Sequence, residues 1–309
     1  MLISAIGSIG ERLDSKFITA YFFPAFIAVL GTLWVAVTAL GGERFAERVA
    51  GLDSVEQAIF TGILLLITMM VAYMLRSLGR PIAQLFAGHT FPRVVKDKSV
   101  RSQLRARRRA RLSSAMISRD KRLVPVDPTD TAPMALGNVL AAAADYPRHV
   151  YGMDAYYWWP RLLPLLPPEF QALLQSMETP MRSLLNLSLA SLYLGCLTAA
   201  VLGLADSNLA VAAASLAIGV VIAELLYRAA VEQAAEFVRH IWVGFDLYRF
   251  QILEQLREQQ PADLEAERAL WQRLAQRLRN LDDLMAANPE ESAKANATDQ
   301  TSTSASGSG

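Results

Sequence analysis

The sequence contains one acid and imidazole pair, Asp145 and His149, whose spacing is suited to acid–base chemistry. Residues four positions apart lie on the same face of a helix, and histidine titrates near neutral pH. The charged and aromatic side chains that follow could line a pocket with this pair. The candidate pocket residues are Asp145, Arg148, His149, Asp154, Trp158, Trp159 and Arg161. Pro147 is predicted to end the helix between the pair, which favours a structural role over a catalytic one.

Other kinds of site are excluded by missing motifs. The sequence has no GxxxxGK[ST], GxSxG or HExxH motif and no paired-cysteine spacing. The lone Cys196 excludes both a disulfide within the chain and a thiolate metal cluster. With none of these motifs present, we expect neither a metal site nor a cofactor. The 30 Lys and Arg residues nearly balance 29 Asp and Glu, which gives no overall field that would attract nucleic acid.

The composition indicates that a bilayer surrounds much of the chain. Hydrophobic residues make up 53% and charged residues 19%, with a mean hydropathy of +0.25, against about 45–50% and about 25% in soluble domains. Crossing a bilayer takes about 20 apolar residues. Four stretches meet this requirement, at 17–40, 57–75, 184–205 and 209–227. We therefore predict an all-α, polytopic membrane protein with four transmembrane helices and a cytoplasmic helical domain.

The distribution of basic residues predicts the orientation. Lys and Arg number 2 before the first span, 2 in 41–56, 17 in 76–183, none in 206–208 and 9 from 224 onward. Cytoplasmic loops are enriched in these residues. The loop 76–183, the helices at 228–286 and both termini are therefore predicted to be cytoplasmic. Residues 1–16 are predicted to form an amphipathic helix on the inner leaflet.

Small residues recur at every fourth position of the third and fourth spans. Such stripes let two helix backbones approach closely in lipid, although small residues are also simply frequent in the spans of an alanine-rich chain. The predicted packing residues are Ser191, Gly195, Ala199, Gly203, Ser215, Gly219 and Ala223. The first three spans contain no ionisable Asp, Glu, Lys, Arg or His, which argues against an ion-coupled transporter.

A basic run in the long loop places eight positive charges within sixteen residues. Anionic lipid headgroups attract such clusters at about 1 kcal/mol per residue near the surface. Alternatively, the run is a solvated linker. Nucleic acid is the least favoured partner, because no aromatic residue for base stacking occurs between Val94 and Arg122. The predicted headgroup residues are Arg101, Arg105, Arg107, Arg108, Arg109 and Arg111.

The fourth span is predicted to continue outside the membrane as one long helix. Apolar residues between Tyr227 and Ile252 alternate in steps of four and three, the heptad pattern of packed helices. A second amphipathic helix follows Pro261, and the tail 287–309 is predicted to be disordered. The two helices either pack on each other and on the aromatic segment 146–159, or align with copies from neighbouring protomers.

Several short words after residue 130 carry a resemblance. The words LGN, YP, YGxD and WPRL, together with FDLYRFQIL and ERALW further on, resemble those of a group of bacterial multi-pass membrane proteins. The resemblance implies a bacterial protein but no activity. Together with the predicted orientation, it leads us to expect a location in the inner (cytoplasmic) membrane.

These observations favour a non-catalytic membrane scaffold or sensor that forms homo-oligomers through its cytoplasmic helices. Its expected partners are membrane lipids with anionic headgroups and an unidentified cytoplasmic protein. One alternative is an oligomeric pore lined by the hydroxyl groups of the first two spans. A weaker alternative is a lipid-acting enzyme that uses the candidate pocket.

Overall fold

A computed structural model describes residues 15–39, 51–88, 123, 125, 132–204 and 209–287. These residues form helices and contain no strand. The helices are α1 (Ser15–Ala39), α2 (Ser54–Ser77), α3 (Gly79–Ala87), α4 (Ala135–Tyr151), α5 (Ala155–Leu162), α6 (Pro168–Leu204), α7 (Leu209–Leu256) and α8 (Leu264–Ala287). Helices α1, α2, α6 and α7 are long and apolar enough to cross a membrane. The prediction of an all-α polytopic protein with four such helices is confirmed.

Several predicted features lie outside the described residues. They are most of the N-terminal helix predicted over 1–16, the basic run from Arg101 to Arg111, the turn 206–208 and the tail from 288 onward. These features stay predictions.

Helix α2 shows how local sequence fixes the start of a span. The side chain of Asp53 accepts hydrogen bonds from the backbone N–H groups of Val55 and Glu56 at 2.9 and 2.8 Å. The Glu56 carboxylate in turn accepts from the Asp53 N–H at 3.1 Å. This reciprocal capping box satisfies N–H groups that a helix start leaves without partners, so the helix begins at Ser54, three residues before the predicted span.

Helices α6 and α7 are longer than a bilayer requires. They contain 37 and 48 residues, which corresponds to lengths of about 55 and 72 Å at 1.5 Å per residue. The hydrocarbon core of a bilayer is only about 30 Å thick. Helix α6 begins at Pro168, before the predicted span at 184–205, and α7 continues to Leu256. The predicted continuation of the fourth span as one helix is confirmed.

The prediction that Pro147 ends its helix is wrong. Helix α4 continues through Pro147 to Tyr151, because a proline removes only one backbone N–H and lies here within the last two turns. The helix ends instead at Gly152, whose φ of +73° is favourable only for glycine. The N–H of Gly152 donates to the carbonyl of Arg148, and that of Met153 to the carbonyl of Pro147, both at 3.0 Å.

The chain divides into two compact units. Unit 1 comprises residues 1–143 and 167–241, and unit 2 comprises 144–166 and 242–309. In unit 1, α1 packs on α2 and α6, with a buried cluster of Phe17, Phe22, Ala25 and Ala72. In unit 2, the large side chains with almost no exposure are Met153, Trp158, Leu162, Phe245, Leu253 and Trp271.

Candidate functional site

The acid and imidazole pair lies at the end of α4 in unit 2. Asp145 is buried, whereas the side chain of His149 is 46% exposed. The His149 Nδ1 atom lies 2.9 Å from the backbone carbonyl oxygen of Asp145 and 3.4 Å from its Oδ1. The imidazole therefore contacts the preceding turn of its own helix through both groups.

The other predicted pocket residues lie in different environments of unit 2. Asp154 caps α5, where its carboxylate accepts a hydrogen bond from the Tyr156 N–H at 3.1 Å and contacts Arg279 at 3.5 Å. Arg148 and Arg161 are exposed. The guanidinium of Arg161 donates to the carbonyl of Tyr157 at 2.6 Å. These residues stabilise a helix start or face outward.

The two tryptophans of the predicted pocket contribute to the core of unit 2. The ring of Trp158 meets that of Trp271 edge-on, with centroids 4.9 Å apart, and the ring of Trp159 packs on Phe245 at 5.7 Å. The buried indole N–H of Trp158 has no hydrogen-bond partner among the described residues. The seven predicted residues are thus divided between the core, a helix cap and the surface.

A different group of polar residues comes together inside unit 2. Asp246 of α7 accepts hydrogen bonds from the hydroxyls of Tyr146, at 3.1 Å, and Tyr151, at 2.7 Å. Nearby, Arg249 Nε donates to Glu267 Oε1 at 2.7 Å, and the same oxygen accepts from the indole N–H of Trp271 at 3.2 Å. We call these six residues the polar network. It joins α4, α7 and α8.

The surroundings of Tyr151 in the polar network favour its protonated form. Burial raises the pKa of the Tyr151 hydroxyl well above 10.0, and the hydrogen bond to Asp246 and the negative charge of that carboxylate raise it further. Tyr151 therefore remains a hydrogen-bond donor at neutral pH. The guanidinium of Arg249 lies 4.1 Å from the centroid of the Tyr151 ring and also donates to the backbone carbonyl of Asp246.

Sequence reasoning missed the polar network although its residues stand in conspicuous words. Tyr146 belongs to YP, Tyr151 to YGxD, Asp246 and Arg249 to FDLYRFQIL, and Glu267 to ERALW. Arg249 falls outside the apolar heptad positions of α7, where charged residues usually form exposed ion pairs. Arg249 does form an ion pair with Glu267, but this pair is largely buried. Only 14% of the Arg249 side chain and 6% of the Glu267 side chain are exposed.

The predicted packing stripe includes a close backbone contact between α6 and α7 in unit 1. A Cβ atom on Gly195 would lie 2.9 Å from the Cα of Gly219, and one on Gly219 would lie 2.7 Å from the Cα of Gly195. The backbone carbonyls of Ser215 and Ser191 border the same contact. A larger residue at either glycine would push the two backbones apart.

Other positions of the stripe are less crowded. Gly203 has open space where a Cβ would lie, and Ala199 is half-buried. Ala223 is buried, and its carbonyl accepts a hydrogen bond from the Ser188 hydroxyl at 2.8 Å. Backbone contact therefore occurs in the middle of the stripe, with a side-chain hydrogen bond on one side of it.

Pro24 alters the backbone of α1. A proline cannot donate a backbone hydrogen bond, so the carbonyl of Ala20 lacks the donor that residue 24 of a regular helix would supply. Just before Pro24, the chain makes a π-helical turn at Ile18–Phe22, and the N–H of Phe23 bonds to the carbonyl of Ile18. Such turns are frequent at functional sites.

Two side chains of α6 supply hydrogen bonds to this altered segment. The Ser183 hydroxyl donates to the carbonyl of Thr19, and Asn186 Nδ2 donates to the carbonyl of Ala20, both at 2.8 Å. Both side chains are buried. Because an unsatisfied carbonyl in a membrane is costly, these bonds allow a proline inside a spanning helix.

A groove lies beside this segment, between α1, α2 and α6. It has a volume of about 710 Å³ and is lined from Pro24 to Ala36, from Leu64 to Leu75 and from Asn186 to Tyr193. The Thr32 hydroxyl donates to the carbonyl of its own helix at residue 28 and lies 3.1 Å from the Tyr193 hydroxyl. Most of the remaining lining is aliphatic.

The described residues contain no group of three His, Cys, Asp or Glu side chains that could hold a metal ion. No family model, curated protein or solved structure matches this chain. The class of the protein therefore rests on its own fold. It is an all-α, membrane-embedded, multi-pass protein.

Proposed function

We propose that this protein is a non-catalytic membrane scaffold or sensor that self-associates through its extramembrane helices. One observation carries the proposal: the acidic groups of the polar network are engaged within the fold. Asp246 accepts from two tyrosines, and Glu267 accepts from Arg249 and Trp271. General acid–base catalysis requires a group within hydrogen-bond reach of its substrate, whereas these carboxylates bond to side chains of the fold and hold three helices together.

The exposed face of α7 supports self-association. Val243 and Leu247 lie one turn apart on α7, and their exposed fractions are 39% and 64%. Leu247 is 38 residues beyond Leu209, or about 57 Å along the helix, which exceeds the roughly 30 Å hydrocarbon core. The heptad residues Val238, Phe245 and Ile252 are already buried within the chain. A second copy or a protein partner would therefore contact the opposite face.

The mass of the protein in nanodiscs tests self-association. We expect the wild-type protein to show more than one chain and Leu247→Glu to show one, because a charge is costly in an apolar contact. Leu264→Glu is the matched control, since Leu264 of α8 is also exposed and its replacement should leave the mass unchanged. A single chain in the wild-type protein at every concentration would overturn self-association.

We propose that both termini and the extramembrane helices face the cytoplasm of a bacterium, across its inner membrane. The uneven distribution of Lys and Arg supports this orientation. Reporter enzymes that are active only in the periplasm should remain inactive when fused at residue 309 and become active when inserted at residue 45. The reverse pattern would contradict the orientation.

The pore alternative is less favoured. The hydroxyls of Thr32, Thr38 and Thr68 donate to carbonyls of their own helices, and the side chains of Leu66 and Met70 on α2 are exposed. These observations favour a surface that faces lipid over one that lines water. Ion flux across liposomes that contain the protein, above that of empty liposomes, would favour the pore instead.

A further inference from the structure

We propose that the groove between α1, α2 and α6 binds one acyl chain of an anionic membrane phospholipid, with its phosphate beside Arg76. This inference goes beyond the proposed scaffold and does not depend on it, because the groove lies within unit 1 and the proposed association surface in unit 2. It assigns a ligand class to a cavity that lies among membrane-spanning helices.

The lining selects hydrocarbon. Three polar side chains reach the groove, and each is engaged: Asn186 through its bond to the Ala20 carbonyl, and Thr32 and Tyr193 with each other. The volume of about 710 Å³ falls within the roughly 300–1,000 Å³ of small-molecule sites. Lining atoms around an empty space lose their dispersion contacts. Because lipid tails surround membrane-spanning helices, an acyl chain is the ligand that would fill this groove.

The dimensions of the groove match a single leaflet. Along α2, the lining extends from Leu64 to Leu75, and the eleven helical steps between these residues span about 16 Å. Half of a hydrocarbon core of about 30 Å is about 15 Å. The groove therefore accommodates one acyl chain along its length in the leaflet whose headgroups lie near Leu75.

Two cationic residues follow the last lining residue of α2 in the chain. Arg76 adjoins Leu75 and is exposed, with its guanidinium carbon 5.8 Å from the centroid of the Phe17 ring. Arg80 is exposed one turn further on. By contrast, Arg182 forms an ion pair with Glu178. Arg76 and Arg80 therefore provide the positive charge for a phosphate.

Photolabelling in vesicles tests the acyl-chain site. The full-length protein is placed in equal parts of phosphatidylethanolamine and phosphatidylglycerol, and the phosphatidylglycerol carries a diazirine near the end of one acyl chain. We expect peptides from α1 and α2 to be labelled at the groove. Ala36→Phe fills the groove and should reduce this labelling about tenfold. Ala39→Phe adds the same ring at an exposed position outside the lining and should not.

Equal labelling of Ala36→Phe and Ala39→Phe would overturn the acyl-chain site. If Ala36→Phe fails to fold, Ala28→Leu adds a smaller obstruction to the same groove and carries the same expectation. The headgroup is tested by Arg76→Gln in vesicles of phosphatidylcholine mixed with either the anionic probe or a phosphatidylcholine probe. We expect the variant to lose the preference for the anionic probe while the labelled peptides stay the same. An unchanged preference would overturn the role of Arg76.

Discussion

The ion pair between Arg249 and Glu267 gives a quantitative test of how unit 2 is held together. Glu267→Leu removes an acceptor that bonds Arg249 Nε at 2.7 Å and the Trp271 indole at 3.2 Å. With only 14% of the Arg249 side chain exposed, water cannot fully replace the lost carboxylate. Removing one partner of a buried pair costs about 3–5 kcal/mol, so we expect a loss of about 4 kcal/mol in the free energy of unfolding.

Replacing both partners should cost less than replacing one. The double variant Arg249→Met with Glu267→Leu leaves no uncompensated charge, and apolar replacement of buried pairs is often close to neutral. Arg249 also stacks on the rings of Tyr151 and Phe250, contacts worth about 1–2 kcal/mol that the double variant loses. We therefore expect the double variant to recover about half of the stability lost in Glu267→Leu.

Urea unfolding followed by tryptophan fluorescence measures these differences. Four of the five tryptophans, at 158, 159, 242 and 271, lie in unit 2, so the signal reports mainly on this unit. With a slope of about 2 kcal/mol per molar urea, Glu267→Leu should lower the midpoint by about 2 M. Glu258→Leu breaks the more exposed pair with Arg277 and should cost at most about 1 kcal/mol. A double variant that is less stable than Glu267→Leu would refute the reasoning.

Three further predictions concern single positions. Gly195→Leu should lower the melting temperature in detergent because its side chain would meet the Gly219 backbone, whereas Gly203→Leu, in open space, should not. The pKa of Tyr151 is raised by burial, so above about pH 10 the unfolded chain loses a proton that the folded chain keeps. Stability should then fall with rising pH more steeply in wild type than in Tyr151→Phe, as equilibrium unfolding at several pH values would show. Arg257 has a φ of +55° after α7, so Arg257→Gly should raise stability by about 0.5–1 kcal/mol in urea unfolding.

The spans were predictable because their signal is local. A run of about 20 residues without charge is read directly from the sequence, and the described residues of all four runs lie within helices. The full length of α6 was not predictable in this way. The part of α6 before the predicted span carries the charged residues Glu169, Glu178 and Arg182. Charged residues end a hydrophobic run in the sequence, but a helix outside the hydrocarbon accommodates them.

The polar network could not be predicted, because its partners are distant in sequence. Tyr146 and Asp246 are separated by 100 residues, and Arg249 and Glu267 by 18. Helical periodicity predicts which residues share a face of one helix, but it does not predict which faces of two helices pack together. The short sequence words that carry the resemblance contain these residues. The pairing of Asp246 with two tyrosines, however, depends on how α4 and α7 pack.

Pro24 and Pro147 show that a proline does not by itself determine where a helix ends. Both remove one N–H from a helix, and both helices continue. At Pro24, the neighbouring α6 supplies the missing donor through Asn186. At Pro147, the helix needs only four more residues before Gly152 ends it. The consequence of a proline is thus decided by its distance from the helix end and by the donors of adjacent helices.

The placement of polar groups explains why both proposals rest on apolar surfaces. In unit 1, Ser183 and Asn186 are engaged by backbone carbonyls of α1, and in unit 2 Asp246 and Glu267 are engaged by donors of the polar network. Groups that are already satisfied gain little from a new hydrogen bond. Binding would then draw on unfilled apolar space, namely the groove among the spans and the exposed face at Leu247. If mutation of the polar network abolished acyl-chain labelling in a folded protein, this separation of roles would be wrong.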